Sequence, residues 1–245
     1  MKCGHLFNGI GGFALAASWM NWKNVFHCEI DDFCNNIMAK NFPESKKYGD
    51  IRKQNFEKWN GAVDLISGGD PCQPSSYAGS RKGKKDHRYL WPEYLRCIVE
   101  CGPRWIVNEK VAGTISNGIL DQKISDLEAN GYTCWPPVII PANSVGALHI
   151  RDRVWLVAYS NGRRFEKYEL STVVNEEREG KQFNHTGIFE AEWFQGESKP
   201  YILRMANGVS GKLDTAKRIR AIGNAIVPQV ALRIFRAIEY FEKNK

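Results

Sequence analysis

The chain has 245 residues, 43% apolar and 25% charged, which suits one α/β domain with a small insertion and a full hydrophobic core. A formal charge of +7 and a pI near 9.0 fit a polyanionic partner without identifying one. Seven cysteines, an odd number with no CxxC pair, argue against a disulfide scaffold or clustered thiolate metal site and point to free thiols in a reducing compartment. The opening apolar run breaks into a glycine turn by Gly9, unlike a signal peptide, and no stretch reads as long enough to span a membrane.

In chain order, residues 3–7 predict a short strand ending at the turn Asn8-Gly9-Ile10-Gly11-Gly12, and a helix follows from Phe13 to Met20. A second strand over 24–28 closes on Glu29, and 32–41 predicts a helix. Residues 62–66 predict a strand running into Gly68-Gly69. Apolar residues over 89–101 recur at helical spacing. A strand over 104–107 leads to Asn108 and Glu109. Residues 119–130 are amphipathic, with Leu120, Ile124 and Leu127 on one side. Residues 138–140 and 153–158 predict further strands. From 161 to 205 the alternation stops, with seven Lys or Arg, eight Asp or Glu and no βα unit. Gly223-Asn224-Ala225 then precede a helix from Pro228, a residue suited to a first helical turn. Strands alternating with helices predict an open, doubly wound sheet with its ligand crevice at the carboxyl ends of the strands, where Glu29, Cys72 and Glu109 would fall.

Gly9, Gly11 and Gly12 form G-x-G-G, not the dinucleotide pattern G-x-G-x-x-G, so a nucleoside cofactor suits this turn better. Glu29 would accept from a ribose diol, and Asp50, in Tyr-Gly-Asp-Ile-Arg, from an exocyclic amine. Cys72 lies in the polar run Gly-Gly-Asp-Pro-Cys-Gln-Pro. The other six cysteines sit among apolar or helical residues and read as core thiols. A thiolate that adds to C6 of cytosine makes C5 enamine-like. An acid must then engage N3 and an arginine hold O2. Glu109, at a strand end where partial burial favours its protonated form, suits the acid. Arg151 and Arg153 share one face of an extended segment.

These residues together resemble the DNA (cytosine-5) methyltransferases, in the manner of a small prokaryotic or phage-like member. Phe7-Asn8-Gly9-Ile10-Gly11-Gly12-Phe13 resembles the family's cofactor loop, Pro71-Cys72-Gln73 its nucleophile motif, Glu109 its catalytic acid, Arg151-Asp152-Arg153 its arginine motif, and Gly223-Asn224-Ala225 its last cofactor motif. The resemblance implies a Rossmann-like α/β sheet that binds S-adenosyl-L-methionine, with a small target-recognition insertion. Its cofactor contacts would be Phe7, Gly9, Gly11, Gly12, Glu29, Asp50, Pro71, Leu90 and Asn224. Cys72, Glu109, Arg151 and Arg153 would be catalytic, and no metal is implied. Residues 1–160 would form the catalytic and cofactor-binding domain, 161–205 the target-recognition region, and 206–245 a segment completing the catalytic domain. The chain would act as a monomer on double-stranded DNA, away from membranes, in the cytoplasm at the nucleoid or in a phage-infected host cell.

Four positions depart from the family's pattern. Asp70 and Ser75 stand where phenylalanine is usual, Lys110 replaces the asparagine of Glu-Asn-Val, and His149 replaces a glutamine. Asp70 and Lys110 would pair, or Lys110 would face a carboxylate on an altered sulfonium cofactor, or the changes would leave a DNA-binding protein with impaired catalysis. Residues 81–88, with five Lys or Arg and one Asp, follow the nucleophile motif and suit contact with phosphates beside a flipped base.

Overall fold

The computed structural model describes residues 1–71, 89–115, 118–147, 151–160 and 211–244, without the side chains of 211–216 and 219. The chain divides into two units, one holding Met1–Lys167 and Ala225–Lys245, the other Tyr168–Asn224. Of the second, the helix α5 (Gly211–Asn224) is described.

The first unit is built on an eight-stranded sheet in the order β3-β2-β1-β4-β5-β8-β6, with β7 also paired to β8. The strands are β1 (Lys2–Leu6), β2 (Lys23–Cys28), β3 (Lys46–Tyr48), β4 (Leu65–Gly68), β5 (Trp105–Val111), β6 (Tyr132–Cys134), β7 (Val138–Pro141) and β8 (Asp152–Ser160). From β1 the chain steps outward through β2 to β3, then returns to lay β4 on the other side of β1. That reversal is a topological switch point, and the crevice of an open α/β sheet lies at the carboxyl ends of its two flanking strands. Phe7–Gly9 leave β1 there, and Gly69–Pro71 leave β4 there.

Helices α1 (Gly12–Trp19) and α6 (Pro228–Lys243) cover one face. The buried residues of α6, Val230, Ala231, Ile234, Phe235, Ala237, Ile238 and Phe241, form one helical stripe. Phe235 meets Phe13 and Trp22, with ring centroids 6.4 and 5.1 Å apart, while Phe241 meets Trp105 and Trp135 at 5.7 and 5.3 Å. Glu242 accepts hydrogen bonds from Arg104 and the Trp105 indole, which fixes the far end of the helix. Helices α3 (Trp91–Cys101) and α4 (Ile119–Ala129) serve the opposite face, where Phe26, Ile66, Tyr94, Ile98, Ile106 and Leu156 pack into one core. Helix α2 (Asp32–Asn41) follows β2, capped by Asp31, whose side chain accepts from the Cys34 N–H.

Three features differ from the sequence expectations. β5 continues through Glu109 to Val111 because the longer β8 pairs with it over its whole length. β3 and β6, three residues each, are too short to show a period of two. Contrary to expectation, the segment Arg220–Lys243 is long and apolar enough to cross a membrane by length and composition alone. It is broken by the non-helical residues 225–227, and the apolar stripe of α6 is buried against α1 and the sheet.

Removing the phenyl ring that links α6 to α1 tests this packing. Phe235→Ala is expected to cost about 3–5 kcal/mol, the usual range for a buried aromatic. Urea denaturation of the two proteins measures the difference.

Candidate active site

The turn after β1 holds its shape through backbone geometry. Phe7 adopts a left-handed φ of +50°, costly for a bulky side chain, and stacks on Tyr94 with centroids 6.1 Å apart. Gly9, at φ +53°, has open space where a Cβ would project. Its N–H donates to Glu29 Oε2 at 2.8 Å, and the Asp31 N–H donates to Glu29 Oε1 at 2.9 Å, so two backbone donors orient the carboxylate. Gly11 also has positive φ, at +94°, and both Gly11 and Gly12 admit close packing. A Cβ on Gly11 would lie 2.6 Å from Met38 Sδ, and one on Gly12 2.6 Å from Ile226 Cγ1. Asn8 is buried, and its Oδ1 finds no hydrogen-bond partner among the described residues.

Gly68 and Gly69, at the end of β4, also permit close approach. A Cβ on Gly68 would strike the Leu6 carbonyl oxygen at 2.4 Å, and one on Gly69 would lie 2.8 Å from Glu109 Oε2. The Glu109 carboxyl is therefore held against the backbone that leads into Asp70-Pro71. Across the β5–β8 ladder Glu109 faces Trp155 and Val111 faces Arg153, which makes Glu109 and Arg153 diagonal neighbours on one face. Arg153 Nε lies 2.7 Å from Glu109 Oε1, yet that oxygen receives no aligned hydrogen bond among the described residues. Burial raises the Glu109 pKa above its ordinary 4.5, and the charges of Arg153, Arg151 and Lys110 oppose the shift without cancelling it. Burial lowers the Arg151 pKa, as does the Arg153 charge, while Glu109 opposes the change.

On the opposite face of β5, Asn108 and Lys110 point toward α3 and α4 and meet Asp70. The Lys110 ammonium donates to Asp70 Oδ2 at 3.0 Å, the Asp70 carbonyl at 2.8 Å and the Pro71 carbonyl at 3.4 Å. Lys123, fully buried on α4, donates to Asp70 Oδ1 at 2.5 Å and Asn108 Oδ1 at 2.8 Å, and its ammonium lies 4.3 Å from the centroid of the Trp91 ring. The Asn108 amide completes the set by donating to Asp70 Oδ1 and the Gly68 carbonyl. Burial pushes the Asp70 carboxyl up, but the Lys123 and Lys110 charges and the hydrogen bonds from Lys123 and Asn108 outweigh it and hold its pKa below 3.8.

Residues 1–190 match the family model described as C-5 cytosine-specific DNA methylase. The chain belongs to that family. Among its relatives, the type II methyltransferase M.Eco47II of Escherichia coli is 33% identical over 164 residues, covering 64% of this chain and 39% of the relative. M.PspPI of Psychrobacter sp. (strain TA137) is 39% identical over 132 residues, covering 52% and 32%, and M.NgoMIV of Neisseria gonorrhoeae is 32% identical over 163 residues, covering 62% and 50%. The chain thus spans half or less of the length of these relatives. The crystal structure of the Dnmt2 methyltransferase of S. pombe shares the fold, with a TM-score of 0.61 at 20% identity over 76% of this chain and 58% of that one.

In this member of the family, the fold brings Glu109, Arg151 and Arg153 together, and separately joins Gly9 to Glu29. Asp50 does not present a free carboxylate. It caps the turn at Ile51–Lys53, and Arg52 binds both its oxygens, with a shortest contact of 2.6 Å. Leu90 is half-buried just before α3, and Pro71 is exposed. Asn224 ends α5, exposed, in the second unit. Cys72, Ser75, the basic run 81–88, His149 and residues 161–205 lie outside the described residues. The thiols expected to be structural are buried or half-buried, and burial pushes Cys28 and Cys134 up to about 12, where thiolate is scarce at neutral pH. Sequence reasoning missed Lys123 and Asn108. Lys123 lies between Leu120 and Leu127 on the apolar side of α4, and a lysine in that position was the available signal.

Asp70 is the only acid in the described contacts of both buried lysines. Asp70→Ala is therefore expected to cost about 3–5 kcal/mol, since it strands buried charge, and Asp70→Asn less. Because the folded pKa of Asp70 is depressed, its contribution is present above the unfolded value of 3.8 and disappears as pH falls through the lower folded value. Urea melts of wild type and both variants, repeated at acid pH, measure this.

Proposed function

We propose that the chain transfers a methyl group from S-adenosylmethionine to C5 of cytosine in double-stranded DNA, through a covalent bond between Cys72 and C6. The arrangement around Glu109 carries this reading. A buried carboxyl with a raised pKa shares one face with Arg151 and Arg153, against the backbone that leads to Pro71-Cys72.

The turn after β1 fits the cofactor. Gly9 and Gly49 leave open space on either side of Glu29 in sequence, at the ends of β1 and β3. The Glu29 oxygens each accept one backbone N–H and keep lone pairs for ribose hydroxyls. Asp50 fits an adenine amine less well, because Arg52 would have to share it. When bound, S-adenosylmethionine supplies an electrophilic methyl group.

The chain's residues would do the rest. Residues 81–88 would grip phosphates while the target base is flipped out, and 161–205 would read the surrounding sequence within a catalytic domain formed by 1–160 and 206–245. The Cys72 sulfur bonds to C6, and the displaced ring electrons move toward N3, where protonated Glu109 donates. Arg153 steadies O2. Its guanidinium carries five N–H donors, so its contacts to Glu109 and the Asp152 carbonyl leave others for the base. C5 then takes the methyl group. Loss of the C5 proton to solvent, departure of the Cys72 sulfur from C6 as thiolate and return of the N3 proton to Glu109 restore the aromatic ring and the acid.

An altered, carboxylate-bearing sulfonium finds no support from Lys110. Its three N–H donors already have three acceptors on Asp70 and Pro71. Nor do Asp70 and Lys110 favour a DNA-binding protein with impaired catalysis, because they satisfy each other instead of standing as opposed unpaired charges.

Labelled cofactor and mixed-sequence duplex DNA should yield 5-methylcytosine; no labelled base across diverse duplexes would reject the reading. Cys72→Ser should abolish turnover while retaining cofactor binding. DNA containing 5-fluorocytosine should trap wild type covalently but not the serine variant, and equal trapping would remove Cys72 from its role. Glu109→Gln should lower the single-turnover rate by about 10²–10⁴-fold. With the Glu109 pKa raised, its protonated form persists above pH 4.5, so the rate should fall as pH rises through the folded value and the glutamine variant should lack that limb. A pH–rate series on both proteins checks the sign.

A further inference from the structure

Two buried ammonium groups converge on one carboxylate. Lys123 alone supplies a counter-charge for Asp70, so charge balance does not require Lys110. Lys110 also binds backbone, donating to the carbonyl oxygens of Asp70 and Pro71. The second belongs to the peptide bond that joins Pro71 to Cys72.

The covalent structure there is already stiff. The proline ring fixes φ of Pro71, and a residue before proline is held near extended backbone. What remains loose is ψ of Pro71, the torsion that sets the direction in which the chain enters Cys72. A hydrogen bond to the Pro71 carbonyl restricts that torsion. Lys110 is well placed to do so, because β5 and β8 hold its backbone and Asp70 Oδ2 holds its ammonium. Asn108 adds a second tether one step earlier, on the Gly68 carbonyl and Asp70 Oδ1.

The geometry points to Lys110 as a positioning residue for the Cys72 nucleophile, acting through the Asp70 and Pro71 carbonyls, with Asp70 and Lys123 as the buried ion pair that anchors it. This rests on the reading of Cys72 as the nucleophile in methyl transfer.

Lys110→Met and Lys123→Met separate the two roles. Lys110→Met leaves Asp70 paired with Lys123 but removes the carbonyl contacts. Its single-turnover rate should fall on the order of 100-fold, the effect of a small misplacement of a reacting group, with cofactor affinity unchanged. Lys123→Met leaves the Lys110 contacts to Asp70 and the two carbonyls but removes the fully buried ammonium bound to Asp70 and Asn108, so it should lose more melting temperature and less rate. Amide exchange at Cys72, read without DNA or cofactor, should accelerate in Lys110→Met more than in Lys123→Met. An unchanged rate and exchange in Lys110→Met, or equal rate losses in the two variants, would overturn the assignment. Should Lys110→Met not fold, Lys110→Gln carries the test; if neither folds, the side chain's role is structural and the assignment fails. If wild type makes no 5-methylcytosine, the methyl-transfer reading fails, while the exchange comparison still decides whether Lys110 holds the entry to Cys72.

Discussion

The antiparallel register between β5 and β8 decides what each face of the crevice contains. It runs from Trp105 opposite Tyr159 to Val111 opposite Arg153. Because side chains alternate, it sends Glu109 and Arg153 to the face covered by α1 and α6, and Asn108 and Lys110 to the face covered by α3 and α4. A slip of one residue in β5 would exchange the two sets, placing a carboxyl among the lysines and an ammonium beside Arg153. Burial on both faces makes that slip costly. Trp105, Ile106, Val107, Leu156, Val157 and Ala158 are each at most 1% exposed, so apolar side chains fix the register that the polar ones need.

The strand ends impose a second condition, which is closeness. Gly68 brings β4 against β1, and Gly69 brings the Asp70-Pro71 backbone against Glu109. Both glycines lack the positive φ that a tight turn would require, so what each supplies is the absence of a side chain. Gly9 differs, with positive φ and open space around it. The glycines of one signature thus serve separate ends: one leaves room, two admit Met38 and Ile226, and those after β4 seat a carboxyl.

Much of this was legible in the sequence. Alternating strands and helices gave the doubly wound sheet. Glu29 and Glu109 were readable as acids closing strands, and Arg151 and Arg153 as sharing a face by strand period, but the contacts of Gly9 with Glu29 and of Arg153 with Glu109 appear only when the strands are paired. Lys123 was not, because on helical spacing it stands among Leu120 and Leu127 and a lysine there reads as a boundary of the apolar side. Only the tertiary approach of α4 to Asp70 makes its burial tolerable. The closure of Arg52 onto Asp50 was hidden for a local reason: a sequence shows the pair two residues apart without showing that it closes. The extension of β5 was hidden because strand length here depends on the partner β8, not on β5's own pattern.

Asp70 and Glu109 show how one environment produces opposite acids. Both are buried and both have cations nearby, yet the Asp70 pKa is depressed and the Glu109 pKa raised. The balance of burial against charge differs between them. At Asp70 the Lys123 and Lys110 charges, joined by hydrogen bonds from Lys123 and Asn108, outweigh burial. At Glu109 the charges of Arg153, Arg151 and Lys110 do not, so desolvation prevails. Their separation onto two faces of β5 leaves one carboxylate as the counter-ion of two lysines and the other beside Arg153 with its pKa raised. The Asp70–Lys110 pair stands beside the Pro-Cys motif without cancelling the rise in the Glu109 pKa, because the Lys110 charge lowers that pKa while the Asp70 charge raises it.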